Sequence, residues 1–342
     1  MNKTIEGMYG IKATVLAYSI NEMGQKFITW EIEYPRLVLA ELNTHRQLSK
    51  NSFSSRAVPF LKMLEQLNGR PVRFGANQAG MQDKGEDFDA PVMLDERLEY
   101  DVPYAPVGAW ERAKQAAIGF ARAFYEAKYH KQVYNRLLEP FQMMKTVISG
   151  TETDNFFWLR NDGAADPTLH ELARVMKKAK DACQPELLKA GEWHLPYVDS
   201  IRDGNGKQQF YLRAEEPETE YGIGLATPLT VEEAIKVSCA RCAAVSYRNE
   251  GYGLEKSLEV YDNLVGGDRK HASAFEHCAT PMKPATGRIV NGNYEGVVNI
   301  PTTPVTWEPG VTHMDRDRNL WSGNLKGFIQ YRKLIPGECY EG

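Results

Sequence analysis

The chain of 342 residues has few cysteines, no long apolar run and no excess of basic charge. Its five cysteines, Cys183, Cys239, Cys242, Cys278 and Cys339, form an odd set. Cys239-x-x-Cys242 has the spacing of a metal or redox pair, but no second pair follows it, as a metal site would need. Reduced core thiols are therefore expected. No apolar run approaches the roughly 20 residues of a membrane-spanning helix. The first residues lack the charged start, apolar core and cleavage site of a secretory leader. A cytoplasmic protein without a membrane partner is expected. The net charge of −4 argues against non-specific duplex binding, which needs a basic face, so no nucleic-acid partner is expected. No fixed-period repeat occurs.

What is present is enough apolar content, 42%, for a sizeable core in one large domain or two. Ile11 to Ile20 reads as a strand. Lys26 to Tyr34 alternates, with Ile28, Trp30, Ile32 and Tyr34 on one face and Glu31 and Glu33 on the other, which predicts a half-buried strand. Pro35 then opens a helix at its tolerated first position, turning Leu37, Val38 and Leu42 inward. Residues 68–108, rich in Gly, Pro, Asp and Glu, read as an excursion: a solvated loop, or else a lid or oligomer contact. Trp110 to Tyr129 predicts an amphipathic helix with Trp110, Ala113, Ala117, Phe120, Ala121 and Phe124 on its apolar face. Further helices are expected around Val133, Leu137 and Leu138, with Pro140 ending or kinking the element, over Asn155–Arg160, and over Pro167–Ala182. Asp203-Gly204-Asn205-Gly206 predicts a hairpin within 198–212. Thr230-Val231-Glu232-Glu233 is a capping box opening a helix, and Leu254, Leu258, Tyr261 and Val265 mark another. After His277 the chain is rich in Pro, Gly and Thr until Trp321.

Chemistry concentrates in Glu41–Arg56, where His45, Arg46, Arg56, several Ser and two Asn follow an apolar run. Polar groups this dense are costly on a buried element unless something binds there; a solvated helix end with a Ser-rich cap is the alternative. Arg, Ser and His together can cradle phosphate. A second polar segment is His271-Ala272-Ser273-Ala274-Phe275-Glu276-His277. His271, Glu276 and His277 are either metal ligands, since imidazole and carboxylate suit zinc or iron, or satisfied structural groups.

His45-Arg46, Ser49, Asn51 and Ser54-x-Arg56 resemble the signature of the flavin-dependent thymidylate synthases. Thr44 stands where that family has its first Arg, Ser52 replaces its Glu, Ala57 its Tyr, and Glu41 stands where it usually has Gln. Residues 271–277 are similar to the family's His-x-Ser/Thr-Pro-Phe-Glu-His segment, and Ala240–Tyr247 to its Ala-Ala-Arg-Val-Ser-Tyr/Phe run. Asn135–Pro140 and Asn155–Arg160 resemble its two Arg segments. In the family the Phe-Glu-His pieces come first; here they come last, so the resemblance implies a permuted order or a partial duplication. Asn324–Lys333 fits a degenerate second copy of the signature helix. Residues 68–108, 184–228 and 283–320 have no counterpart.

The resemblance implies a single domain over 1–342 of α+β type, with helices packed on a mixed or antiparallel sheet. Its parts are a strand and signature helix (11–60), a helical part (105–182) and a permuted segment (230–342). It also implies an FAD-dependent transfer of one carbon from methylenetetrahydrofolate to C5 of dUMP, giving dTMP, with NADPH as reductant. Cofactor contacts are expected from His45, Arg46, Asn155, His271 and Ser273. Substrate contacts are expected from Glu41, Ser54, Ser55, Arg56, Arg136 and Arg160, with Ser54 and Arg160 catalytic. The flavin contacts are split between distant segments, so a homo-oligomer with shared sites is expected. Glu41 is a carboxylate near the base, and cytosine presents a donor where uracil presents an acceptor, so dCMP is an alternative substrate. Hydroxymethylation is an alternative outcome. A non-catalytic flavin- or nucleotide-binding protein and a metal-dependent hydrolase are the rival classes.

Overall fold

The computed structural model describes residues 3–77, 85–94, 102–212, 227–245, 252–284, 288–290, 293–295 and 307–340. Its first strands are β1 (Lys3–Glu6), β2 (Lys12–Asn21), β3 (Lys26–Pro35) and β4 (Ser49–Ser52). Next come the paired short strands β5 (Val92–Leu94) and β6 (Val102–Tyr104), then β7 (Met143–Gly150) and β8 (Glu186–Leu188). The main sheet has the order β1-β2-β3-β7-β4, antiparallel throughout, with β8 added parallel to β2. β3 sits in its centre, with Trp30 opposite Ile148 on β7 and Val15 on β2.

Alternation along β3 sends its residues to two different interiors. Ile28, Trp30, Ile32 and Tyr34 enter one apolar cluster. That cluster includes Leu169, Leu172, Val175 and Met176 of helix α6 (Pro167–Asp181), described with the other helices below. On the opposite face Thr29 is fully buried, while Glu31 and Glu33 meet Lys145 at 3.2 and 3.5 Å. Beyond them lies a second cluster, built from Val147, Phe210, Phe275 and helix α7 (Val231–Ala244).

The helices are α1 (Leu39–Asn43), α2 (Phe60–Leu64), α3 (Pro106–Glu126), α4 (Lys131–Tyr134), α5 (Asp154–Arg160), α6, α7 (Val231–Ala244) and α8 (Leu254–Val265). α6 begins where the Asp166 carboxylate accepts from the amides of Thr168 and Leu169, with Pro167 at the first position. α7 begins with the reciprocal bonds of Thr230 and Glu233. The hairpin β9 (Asp199–Arg202) and β10 (Gln208–Leu212) turns where Asp203 accepts from the amides of Asn205 and Lys207. It is joined by β11 (Thr227–Leu229).

The C-terminal part adds β12 (Ala279–Pro281), β13 (Arg288–Val290), β14 (Asn293–Glu295), β15 (His313–Met314), β16 (Leu320–Ser322), β17 (Leu325–Lys326) and β18 (Phe328–Gln330). β12 pairs with β18 and β13 with β14, while β15, β16 and β17 form a small sheet. Gly327 lies between β17 and β18 with φ of +69°, where a side chain would be strained. Its carbonyl accepts from Asn21 Nδ2 at 2.9 Å, fastening this region to the end of β2. The chain is thus an α+β protein with largely antiparallel sheets. No helix among the described residues is long and apolar enough to cross a membrane.

Several expectations are corrected. Pro35 ends β3 and precedes a 3-10 turn, Arg36–Val38, so it is not the first residue of an α-helix. The signature is not helical past Asn43: Ser49–Ser52 is strand β4, held by the edge of β7. The stretch 105–182, expected to be helical, contains the strand β7, which lies between β3 and β4. On α3 only Ala121 is buried, and Phe120 is 68% exposed. At 100° per residue Phe120 lies roughly 80° away from the Trp110–Ala117–Ala121–Phe124 stripe. Val133 and Leu137 are also exposed, and only Leu138 of that group points inward. Asn324–Lys333 is β17, β18 and a 3-10 turn, not a helix. Ser246 and Tyr247, and much of the 68–108 and 283–320 stretches, lie outside the described residues.

Candidate functional site

α1 stops at Thr44, and the turns Thr44–Glu41, His45–Leu42 and Leu48–His45 carry the chain to the sheet edge. Lys50 locks this reversal by donating to the carbonyls of His45 and Leu48 at 2.6 and 2.8 Å. Burial holds the Lys50 ammonium down to about 8, while the Glu276 carboxylate pulls it back up. His45 Nε2 accepts from Arg160 Nε at 2.9 Å, and its ring meets Phe156 edge-on at 5.0 Å. An accepting Nε2 requires the neutral imidazole. Its pKa is lowered by burial first, then by Arg160 and Lys50.

β4 packs on the 3-10 helix Ala272–His277, so the signature and the His-x-Ser segment meet despite their distance in sequence. Asn51 Nδ2 donates to the Cys242 carbonyl of α7 at 2.6 Å. Two cavities flank this junction. One, of about 550 Å³, is lined by Asn51, Ala244, Lys256, Val260, His271 and Ser273, among others. The other, of about 470 Å³, is lined by Arg46, Lys50, Glu276, Asn324, Arg332 and Lys333, among others. Both are within the usual size range of ligand sites. The larger cavity offers imidazole, hydroxyl, ammonium and amide groups against an apolar wall of Ala243, Ala244, Val260 and Leu264. That donor set fits a ligand with a flat ring and phosphates, as FAD has.

The remaining expected site residues lie elsewhere. Phe53 donates to the Lys145 carbonyl, so Ser54, Ser55 and Arg56 lie beyond the Met143 end of β7. Asn135 donates to the carbonyls of Ser55 and Val58, placing Arg136 at that same end. His45 and Arg160 lie at the Gly150 end, the far end of this eight-residue strand, roughly 23 Å away along it at about 3.3 Å per residue. Arg56 and Arg136 are exposed; Ser55 Oγ donates to Glu139 at 2.5 Å. Glu41 and Asn155 are exposed on α1 and α5. One chain therefore joins His45 to Arg160, and His271 to Ser273 and Asn51, but does not bring Arg56, Arg136 and Arg160 together.

His271, Glu276 and His277 point to three destinations. His271 lines the larger cavity, Glu276 pairs with Arg332 at 2.6 Å, and His277 is buried. His277 Nδ1 lies 2.8 Å from Ser149 Oγ, which is 2.7 Å from Thr29 Oγ1. Thr29 Oγ1 in turn is 2.9 Å from His194 Nε2, and His194 Nδ1 is 2.8 Å from Ser19 Oγ. Burial lowers the two imidazoles to about 3 for His194 and about 4 for His277. Cys239, Cys242 and Cys278 are free and buried near Ser238, with Cys239 and Cys278 sulfurs 3.6 Å apart. No cluster of His, Cys, Asp or Glu among the described residues is arranged to hold a metal.

Residues missed from sequence are Lys50, Lys256, Arg332, Lys333 and His194. Lys50 stood between two motif positions, and Arg332 and Lys333 in the expected second signature copy, signals available but unused; Lys256 and His194 carry none outside the fold. No family model matches the chain, and no curated protein matches its sequence.

Proposed function

We propose that this chain is an FAD-dependent enzyme of the thymidylate synthase kind with its motifs in permuted order. It transfers one carbon from methylenetetrahydrofolate to C5 of dUMP, and NADPH supplies the reducing equivalents. The observation that carries this reading is the cavity where Asn51 of the signature meets His271 and Ser273. Those residues come from the two motifs expected to share a cofactor, and they are far apart in sequence. Bound FAD would supply the hydride that turns the transferred carbon into a methyl group.

The chain's own residues bind and orient. His271, Ser273 and Lys256 offer donors to phosphate or ring edge, and the alanine wall excludes water from the ring. Neutral His45, held by Arg160, offers an Nδ1–H donor beside the same strand. Ser54, Arg56 and Arg136 lie at the other end of β7, so a site using them together with Arg160 draws on a second protomer.

The test is FAD titration followed by mass spectrometry of products from dUMP and dCMP, with folate and with or without NADPH. Saturable FAD binding that weakens about tenfold or more in His271→Ala, and methylated product only when NADPH is present, is the expected result. No saturable FAD binding to the wild-type chain would remove the reading at its root. A hydroxymethyl product formed without NADPH would replace methyl transfer by hydroxymethylation.

A further inference from the structure

The smaller cavity lies on the other side of the β4 junction. One wall is the turn Asn43–Lys50 and the other is Gly323–Lys333, with Glu276 between them. Four cations, Arg46, Lys50, Arg332 and Lys333, stand on its walls. Two carboxylates answer them. Glu276 meets Arg332 Nη1 at 2.6 Å, and Glu338, behind the wall, meets Arg332 Nε at 2.6 Å and also Lys333. Four positive charges less two negative leave two uncompensated. They belong to Arg46, whose side chain has no partner among the described residues, and to Lys50, which donates only to backbone carbonyls.

The cavity is also held in shape. Asn324 Nδ2 donates to the Gln47 carbonyl at 2.9 Å and to Ser49 Oγ at 3.0 Å, bridging the two walls. Gln330 Nε2 donates to Asn324 Oδ1 at 3.0 Å and fixes that amide's orientation. Four cations against two carboxylates around one cavity leave an excess of positive charge that an entering dianion would offset. A carboxylate would neutralise one charge; a phosphate group neutralises both and matches the guanidinium fork.

We propose that this cavity is a phosphate-binding site, with Arg46 and Lys50 as its principal ligands and Arg332 and Lys333 lining its second wall. The assignment stands on the charge and shape of the cavity and does not require the flavin reading. The phosphate is either free or part of an ester, and the experiment separates these sources.

Inorganic phosphate is titrated into the full chain and followed by 31P NMR line broadening and calorimetry. Saturable binding is expected, weakened about tenfold or more in Arg46→Gln and in Lys50→Gln. Arg46 is exposed, so its variant keeps the fold even if Lys50→Gln does not. Competition by dUMP but not deoxyuridine identifies a nucleotide ester as the source. Competition by FAD identifies the dinucleotide, and competition by neither leaves free phosphate. Absence of saturable phosphate binding, or binding unchanged in Arg46→Gln, overturns the proposal. Phosphate binding without any FAD binding sinks the flavin reading alone; FAD binding without phosphate binding sinks this one alone.

Discussion

On one face of β3, Ile28, Trp30, Ile32 and Tyr34 pack into an apolar interior shared with α6. On the other, Thr29 takes part in a buried chain of hydroxyls and imidazoles, and Glu31 and Glu33 hold Lys145. Both faces are covered, yet they respond to different perturbations. Apolar contacts are non-directional and indifferent to protonation. The polar face depends on each hydrogen bond having its partner and each imidazole staying neutral. The junction with the 3-10 helix Ala272–His277 lies on the polar side, where Ser49 and Asn51 share the face of Ser149 and Val147, while Lys50, opposite Ile148, has the register of the other face at the sheet edge. The sheet therefore keeps an apolar interior on one side and a buried hydrogen-bond chain on the other.

Acid should separate the faces most. His194 and His277 are both held below the ordinary imidazole value of about 6.5, mainly by burial. In the unfolded chain they take up protons near 6.5, but the folded chain resists until about 4 or below. Over that window the unfolded state binds more protons, so their contribution is complete above pH 6.5 and is lost as pH falls. Each imidazole accounts for roughly 1.4 kcal/mol per pH unit, so a fall of about two units removes on the order of 5 kcal/mol. Urea unfolding at a series of pH values measures this, and His194→Gln should roughly halve the slope. A stability that is flat from pH 7 to 5 would mean that these rings are solvated.

Truncation of the apolar face comes next. Trp30→Ala should cost about 3–5 kcal/mol, since Trp30 is fully buried and the cavity would be lined by packed neighbours. The loss should be the same at pH 7 and at pH 6, unlike the imidazole effect. Equal unfolding midpoints for variant and wild type would contradict the packing.

The smallest effect belongs to Thr29→Val, which keeps the shape and deletes one hydroxyl. It strands His194 Nε2 and leaves Ser149 Oγ with His277 as its remaining partner in the chain, and the expected loss is about 1–3 kcal/mol. A Thr29→Ser variant should recover most of it, because only the hydroxyl is at issue. Failure of Ser to rescue would assign the effect to the lost methyl and not to the hydrogen-bond chain.

Sequence periodicity revealed the elements in which one face is dry and the other wet. β3, α6, the 203–206 turn and the capped start of α7 all follow from local pattern. β7 escaped because nearly all its residues are buried on both faces, so Met143–Gly150 shows no alternation. β4 escaped for the opposite reason: Ser-Lys-Asn-Ser has no strand signal, and its extension comes from pairing with β7. In the site, His45, His271 and Ser273 were visible because they sit in motifs. Lys50 was not, since only burial by the folded turn makes its ammonium unusual. Arg332 and Lys333 read as the end of a second signature helix, and only the strand β18 and the 3-10 turn after it carry them beside the turn Asn43–Lys50. His194 has neutral neighbours in sequence, and its partners Ser19 and Thr29 come from other strands.

The bridge between Ser49 and Asn324 spans 275 positions of sequence. During synthesis, the first wall of the smaller cavity leaves the ribosome long before the second exists. β7 must emerge before β4 has a partner and before β3 gains its second neighbour, and closing such large loops carries the entropic cost that slows non-local topologies. A nascent chain can thus bury the Trp30 side of its sheet while the β4 edge and the Arg46 and Lys50 cations still lack the Asn324 strap. Closure of this cavity arrives as a late event in the life of each molecule, after much of the fold that supports it.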